Sequence, residues 1–354
     1  MDWAELNHDL LRQIAKKVTD LSDFVRFRAV CKQWRSAVHP SDLPPQLPYF
    51  IQCIGSSNSS FDFQFRPLSF DKTYKLTVQI SSSPEDWIFL FGSFTGFVLL
   101  LSWSPVSGLI LNPLTGFQAT IPVKNEDWFV PLYFGPSCIH EPNLIENGID
   151  LVGYLNESLV PKVILWRYTE SKWRKITEIC YGHKECVVSY SSGRVYIFSD
   201  ETRNIRVVDF NNGNTVSLLP EVPSESSDQH YCIVEACRDL IVVWSFLAKQ
   251  NLYPPELDYK YELYQLKDSG TYPSWTKVND IGDRMLFYDN QCKWHCLKAS
   301  DFEGCEGNCI YTITSSTMNH FVNCYSVTME RTTQLHWFCD YYKNTGTWFF
   351  PSLC

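Results

Sequence analysis

From Asn7 to Val38 the apolar positions recur with helical period. Leu10, Leu11, Ile14 and Val18 share one face of a first predicted helix, with Asn7 as its N-cap, Asp9 near its positive end and Lys16 and Lys17 in its last turn. In the second run, "DFVRFRAVCKQWRSAV", Phe24, Phe27, Cys31, Trp34 and Val38 follow one another at spacings of three, four, three and four, an amphipathic stripe for which Ser22 is the expected N-cap. Some forty residues rarely build a sufficient core alone, so the stripe predicts a surface that covers it. "HPSDLPPQLP", with four prolines between His39 and Pro48, cannot continue a helix and reads as a semi-rigid connector.

Beyond the connector the period changes. Short apolar or alternating runs such as "FVLLLSW", "KVILWRY", "RVYIFSD", "IRVVDF", "DLIVVWSF" and "KYELYQL" alternate with Gly, Asn, Asp and Ser clusters, which predicts an all-β domain. A turn followed by a very apolar strand recurs at "TGFVLLL", "SGRVYIF", "RDLIVVW" and "GNCIYTI". The irregular intervals fit blades of about forty to fifty residues with one blade passed over, which makes a β-propeller the economical architecture. Trp87 to Val123 carries no charge, and its first part is nearly long enough to span a bilayer. Gly92, Ser93, Thr95 and Gly96 in its middle instead predict a turn between two buried strands, and "NPLTG" at Asn112 to Gly116 reads as the next turn.

Length and charge sharpen this outline. With 354 residues and 41.1 kDa, the chain fits one small segment and one large β unit. Residues 1 to 40 hold seven Lys or Arg against five Asp or Glu, net +2, so the rest carries −11 of the total −9. An acidic body with pI near 5.4 argues against nucleic acid as a partner. Fourteen cysteines behind the polar opening "MDWAELNHDLLRQ", which shows no apolar signal segment, point to reduced thiols in the nucleus and/or cytoplasm. The sequons at Asn58 and Asn156 are then unused, and no membrane partner is expected.

Trp3, Leu6, Asp9, Leu10, Leu11 and Ile14, then Leu21, the run Asp23 to Arg28, Val30 to Lys32, and Trp34 with Arg35, resemble the F-box of plant proteins in order and spacing. Asn7 stands where that family usually has proline. The resemblance implies a helical unit that packs on a Skp-type adaptor, and through it on cullin, in an SCF (Skp–cullin–F-box) ubiquitin ligase. By motif match it assigns adaptor contact to Leu6, Leu10, Leu11, Ile14, Val30, Trp34 and Arg35. Some of the stripe's aromatic residues must also glue the helices to one another. "GDRMLFYDNQCKWHCLKASDFEGCEGNCIYTI", Gly282 to Ile313, is similar to the C-terminal signature of plant F-box proteins with a KIB-type β-propeller, and "LILNPLTGFQATIP" and "SWTKVNDIGDR" support it. The fold expected is therefore a small all-α F-box segment of three helices over 1–40, a Pro-rich connector over 41–48 and an all-β domain, a kelch-like β-propeller, over 49–354. What this implies is a non-catalytic substrate-recognition subunit, recruiting protein targets for ubiquitination and proteasomal degradation. The alternative is a stand-alone protein- or glycan-binding propeller with a degenerate F-box.

Candidate chemistry does not displace that reading. Cys292, Cys296, Cys305 and Cys309, with His295 between, have spacings that could suggest zinc, but Cys309 shares a strand face with Tyr311 and Ile313, as an ordinary buried thiol would. His183 and Cys186 are close in sequence without the geometry of a nucleophile pair, and Glu85–Asp86 and Glu126–Asp127 point apart in extended chain. No catalytic residue, metal or cofactor is expected. The four prolines further suggest that removing residues 1 to 40 abolishes adaptor association and leaves the propeller folded.

Overall fold

A computed structural model describes residues 6–57, 59–69, 72–80, 87–92, 96–103, 106–121, 128–136, 149–157, 160–167, 172–178, 185–191, 194–199, 202–209, 212–223, 230–236, 239–250, 257–268, 272–288, 294–315, 319–339 and 346–351. Three helices come first: α1 (His8–Ala15), α2 (Leu21–Ala29) and α3 (Lys32–Ala37). Asn7 caps α1, its Oδ1 accepting from the Asp9 N–H at 2.8 Å. Its φ of −56° is one that proline also adopts, so asparagine in the proline slot keeps the backbone path and adds a cap.

The second run departs from expectation in its cap. Its cap is Asp20 and not Ser22: the Asp20 Oδ1 accepts from the N–H groups of Ser22 at 2.8 Å and Asp23 at 3.1 Å. A carboxylate oxygen serves two orphan donors of the first turn at once. The stripe is divided between two helices. The helix breaks between Ala29 and Lys32, and Cys31, extended at φ −158°, caps α3 by accepting from the Trp34 N–H on its Sγ at 3.4 Å. Phe24 and Val38 therefore meet inside one small core, with Leu11, Ala15 and Ala37.

Twenty-five strands follow among the described residues, in six sheets. The first sheet orders β1 (Tyr49–Ser57), β2 (Ser60–Pro67) and β3 (Tyr74–Gln79) beside the last strand of the chain, β25 (Thr347–Phe349), as β25-β1-β2-β3. Period two is plain on β2, where Phe61, Phe63 and Phe65 are buried and their neighbours half-buried. The second sheet runs β4 (Trp87–Gly92), β5 (Val98–Trp103), β6 (Val106–Leu111) and β7 (Gln118–Ile121) in order, so the uncharged stretch forms the expected strand pair. At its next turn the buried Asn112 accepts from Leu114 and Thr115 N–H on Oδ1, and Gly116 takes φ +77°, which favours glycine. Val98, Leu100, Leu109 and Leu111 share a core with the three phenylalanines and Phe349. The helices, these two sheets and the segment from Trp348 make one compact unit.

The second unit holds four sheets. Three are four-stranded antiparallel meanders: β8 (Trp128–Pro136), β9 (Ile149–Glu157), β10 (Val160–Arg167) and β11 (Lys172–Glu178); β12 (Glu185–Ser191), β13 (Arg194–Ser199), β14 (Ile205–Asp209) and β15 (Thr215–Leu219); β16 (His230–Ala236), β17 (Asp239–Gln250), β18 (Leu257–Asp268) and β19 (Pro273–Val278). Three of the four repeats seen in the sequence fall on β5, β13 and β17, the second strand of each of their sheets, and the blade passed over is β8 to β11; the fourth falls on the strand Cys309–Ser315 of the last sheet. Successive four-stranded meanders are the blades of a β-propeller, so the expected class, helices and then a propeller, is the one observed.

The last sheet breaks the pattern. It is five-stranded, ordered β21 (Trp294–Lys298), β20 (Arg284–Tyr288), β22 (Cys309–Ser315), β23 (Asn319–Ser326) and β24 (Arg331–Cys339), and β20 runs parallel to β22. Residues of the C-terminal signature make that crossover possible. Asp283 accepts from the Ser300 N–H at 2.9 Å and from its hydroxyl, while the Asp283 carbonyl accepts from Ala299 N–H. Asn308, at φ +63°, accepts from Ile281 N–H at 2.8 Å and donates its own N–H to the Arg284 carbonyl at 2.7 Å. Arg284 pairs with Asp239. The signature is thus accounted for by architecture.

Candidate functional site

The three helices close a core of their own, in which Leu11, Ala15, Phe24, Ala37 and Val38 are buried and Leu6, Val18, Phe27, Trp34 and Leu43 are partly buried. The Phe27 and Trp34 rings meet at 4.4 Å between centroids, and Arg28 Nε donates to the Val38 carbonyl at 2.9 Å. With that core filled, large apolar side chains remain outside it: Leu10 is 45% exposed, Ile14 37%, Val25 44% and Val30 60%. Leu10 and Ile14 stand one turn apart on α1, hence on one face.

Of the residues that motif matching assigns to adaptor contact, Leu10, Ile14, Val30 and Arg35 are exposed, and Leu6 and Trp34 are half-buried. Leu11 requires a correction, since it is fully buried in the helices' own core and offers no surface. Adjacent positions on a helix diverge by about 100°, so Leu10 and Leu11 cannot both face outward. Val25 is exposed but lies outside the set assigned to adaptor contact; its helical place between Ser22 and Arg28, off the stripe of Phe24 and Phe27, is the signal that could have found it.

The connector is bonded to the helices at several points. Arg12 holds Asp42 through two hydrogen bonds, Nε to Oδ2 at 3.2 Å and Nη2 to Oδ1 at 3.1 Å, and Asp42 Oδ2 also accepts from His39 N–H at 2.9 Å across the 3-10 turn Pro40–Asp42. Burial pushes the Asp42 carboxyl up, but the hydrogen bonds from Arg12 and His39 outweigh it and hold the group below the usual carboxylate range. Gln46 Nε2 donates to the carbonyls of Thr19 and Pro44, each at 2.9 Å. On the sheet side, Tyr74 donates its hydroxyl to Asp20 Oδ2 at 3.5 Å, and Leu21 is buried in the core cluster of the first two sheets.

The alternative chemistries fare differently. Cys292, His183, Glu85, Asp86, Glu126 and Asp127 lie outside the described residues. Cys296 on β21 and Cys309 on β22 have β20 between them, which puts their backbones two strand spacings, about 9.5 Å, apart. Among the described residues no three metal-ligating side chains come together. A hydrogen bond from Cys324 on β23 holds the Cys309 thiol below its ordinary value and pushes that of Cys324 up, while burial raises Cys305. Among the described residues no helix is long and apolar enough to cross a membrane.

Comparison with known proteins agrees with this geometry. The F-box domain model matches residues 3–45, and the KIB1-4 beta-propeller model matches residues 65–335. Arabidopsis thaliana F-box protein At2g26160 is 23% identical over 333 residues, covering 88% of this chain and 95% of that protein. F-box protein SKIP23 of the same plant is 22% identical over 358 residues, covering 88% and 84%. Among solved structures, TolB from Acinetobacter baumannii has a TM-score of 0.44 at 9% identity, covering 82% of this chain and 63% of that one. Because the propeller model spans most of the sequence and the F-box model the helices before it, the chain belongs to the KIB1-4 β-propeller family and carries an F-box domain.

Proposed function

We propose that this chain is the substrate-recognition subunit of an SCF-type ubiquitin ligase, with the helices binding a Skp-type adaptor, and through it cullin, and the propeller holding a protein target for ubiquitination and degradation. The observation that carries this reading is the surplus apolar surface of the helices. Leu10, Ile14, Val25 and Val30 remain in solvent after the internal core has closed, on a unit of some thirty residues. Leu10, Ile14, Val30 and Arg35 form the contact set, with Leu6 and Trp34 reaching it from the rim of the core; Leu11 supports the set from inside. No bond-making residue is needed for such a role. Holding the target and the ubiquitin-charged enzyme on one scaffold raises their effective concentration, and the transfer becomes nearly intramolecular. The free thiols of Cys31, Cys53, Cys296, Cys305, Cys309 and Cys324 are in keeping with work in the nucleus or cytoplasm.

The test is titration of the full-length chain against a plant Skp adaptor. Wild type is expected to form a stable complex, and Leu10→Asp with Ile14→Asp to weaken it at least a hundredfold, about 2.7 kcal/mol, with an unchanged thermal melt. A wild-type chain that fails to bind, or a double variant that binds as well as wild type, overturns the assignment.

A further inference from the structure

The core of the helices and that of the first two sheets are distinct but joined. Leu43, in the connector, packs against both clusters: the helices' core of Leu11, Phe24 and Val38, and the sheet core of Tyr49, Ile51 and Phe63. Leu21, the first residue of α2, is buried on the sheet side of that divide. Polar contacts frame the apolar seam. Asp20 caps α2 with one carboxylate oxygen and accepts from the Tyr74 hydroxyl with the other, and Gln46 ties the α1–α2 turn to the connector through the Thr19 carbonyl. Arg12 binds the connector's other end through Asp42, and Arg28 ties α2 to the end of α3 through the Val38 carbonyl.

We infer that Leu21, Leu43, Gln46 and Tyr74 are positioning residues that mount the helices rigidly on the first sheet, so that the adaptor-binding face keeps one orientation relative to β1, β2 and β3. Proline restricts a connector's own dihedrals but leaves its ends free to swivel. Side chains packed and bonded on both sides remove that freedom. A fixed mount matters to a scaffold because effective concentration falls when two bound partners sample many relative orientations. That an adaptor occupies the mounted helices rests on the function proposed above; the mount does not.

Distance distributions by single-molecule fluorescence test this on the full chain, with dyes on unnatural amino acids at exposed Lys17 and Lys75, free and with Skp adaptor. Wild type is expected to give one narrow distribution in both states. The triple variant Leu43→Ser, Gln46→Ala and Tyr74→Phe leaves both main cores filled; its distribution is expected to broaden at least twofold while adaptor affinity stays within threefold. A broad wild-type distribution, or a triple variant as narrow as wild type, overturns the mount. So does a loss of adaptor affinity beyond tenfold, which would place these residues in the helices' own folding. If wild type is narrow but binds no adaptor, the mount stands and the ligase reading falls.

Discussion

At the scale of single residues, Asp42 shows how one buried carboxylate organises the end of the helical segment. It accepts from two Arg12 nitrogens and from the His39 N–H, and its pKa is depressed in the folded chain. A depressed folded value means the ionised form is favoured by folding; the stabilisation is complete above the ordinary carboxylate pKa of about 3.9 and is lost as pH falls through the lower folded value. Asp42→Asn is therefore expected to cost about 1–2 kcal/mol at neutral pH, through lost charge-assisted hydrogen bonds, and less at pH about 3, below the unfolded value. Denaturation curves of both proteins at the two pH values check this; a gap that stays constant would mean that the charge is irrelevant. The sequence shows Asp42 only as a polar residue among prolines, because its partner lies thirty residues away. Leu10 and Leu11 illustrate a similar limit. Helical period identifies the apolar arc, yet with two adjacent leucines only the packing of α3 decides which one turns inward.

Elements were far more legible than their neighbours. Period two and turn residues mark the strands of the sheets, and even the recurrent second strand of a blade can be read off as a turn before an apolar run. What period two cannot report is which strand lies alongside, and so the parallel pairing of β20 with β22 has no counterpart in the pattern. At that crossover backbone packs on backbone at one glycine. A Cβ on Gly307 would stand 2.5 Å from the Gly282 carbonyl oxygen and 2.7 Å from the Asp283 Cα, backbone atoms that cannot step aside separately from the crossover. Gly304 presents the opposite case: its φ of +77° disfavours a side chain, but nothing lies within 4 Å of the added atom. Gly304→Ala should cost about 1–2 kcal/mol, the ordinary penalty of the left-handed region. Gly307→Ala should cost about 3 kcal/mol or more, since two backbones must part. Urea unfolding of both variants orders them; equal costs would show that the crossover can yield.

For the whole molecule, the two chain ends make unequal contributions. The N-terminal helices have their own core, and their removal with residues 1 to 40 takes from the sheets chiefly Leu21, a loss comparable to a buried leucine truncated to alanine, about 2–5 kcal/mol. A domain total of about 5–15 kcal/mol can absorb that, so the shortened chain is expected to melt cooperatively at a lower temperature, with adaptor binding gone. The C-terminal end is only a three-residue strand, too short to be recognised by period, yet β25 completes the first sheet beside β1. Trp348, Phe349 and Phe350 are all buried, and the Phe349 ring meets that of Phe65 edge-on at 5.4 Å. Adjacent strand residues face opposite sides of a sheet, so Trp348 and Phe349 fill two different layers and neither can substitute for the other. Each buried aromatic costs about 3–5 kcal/mol when truncated, and three together reach about 10 kcal/mol, the order of the entire stability. Deleting residues 346–354 also leaves β1 with an unpaired edge, a template for aggregation. The expected outcome is a chain without a cooperative melt, recovered mostly in the insoluble fraction. Calorimetry of the two truncations side by side decides the matter: a C-terminally shortened protein that melts as sharply as the N-terminally shortened one would show that the first sheet holds without its last strand.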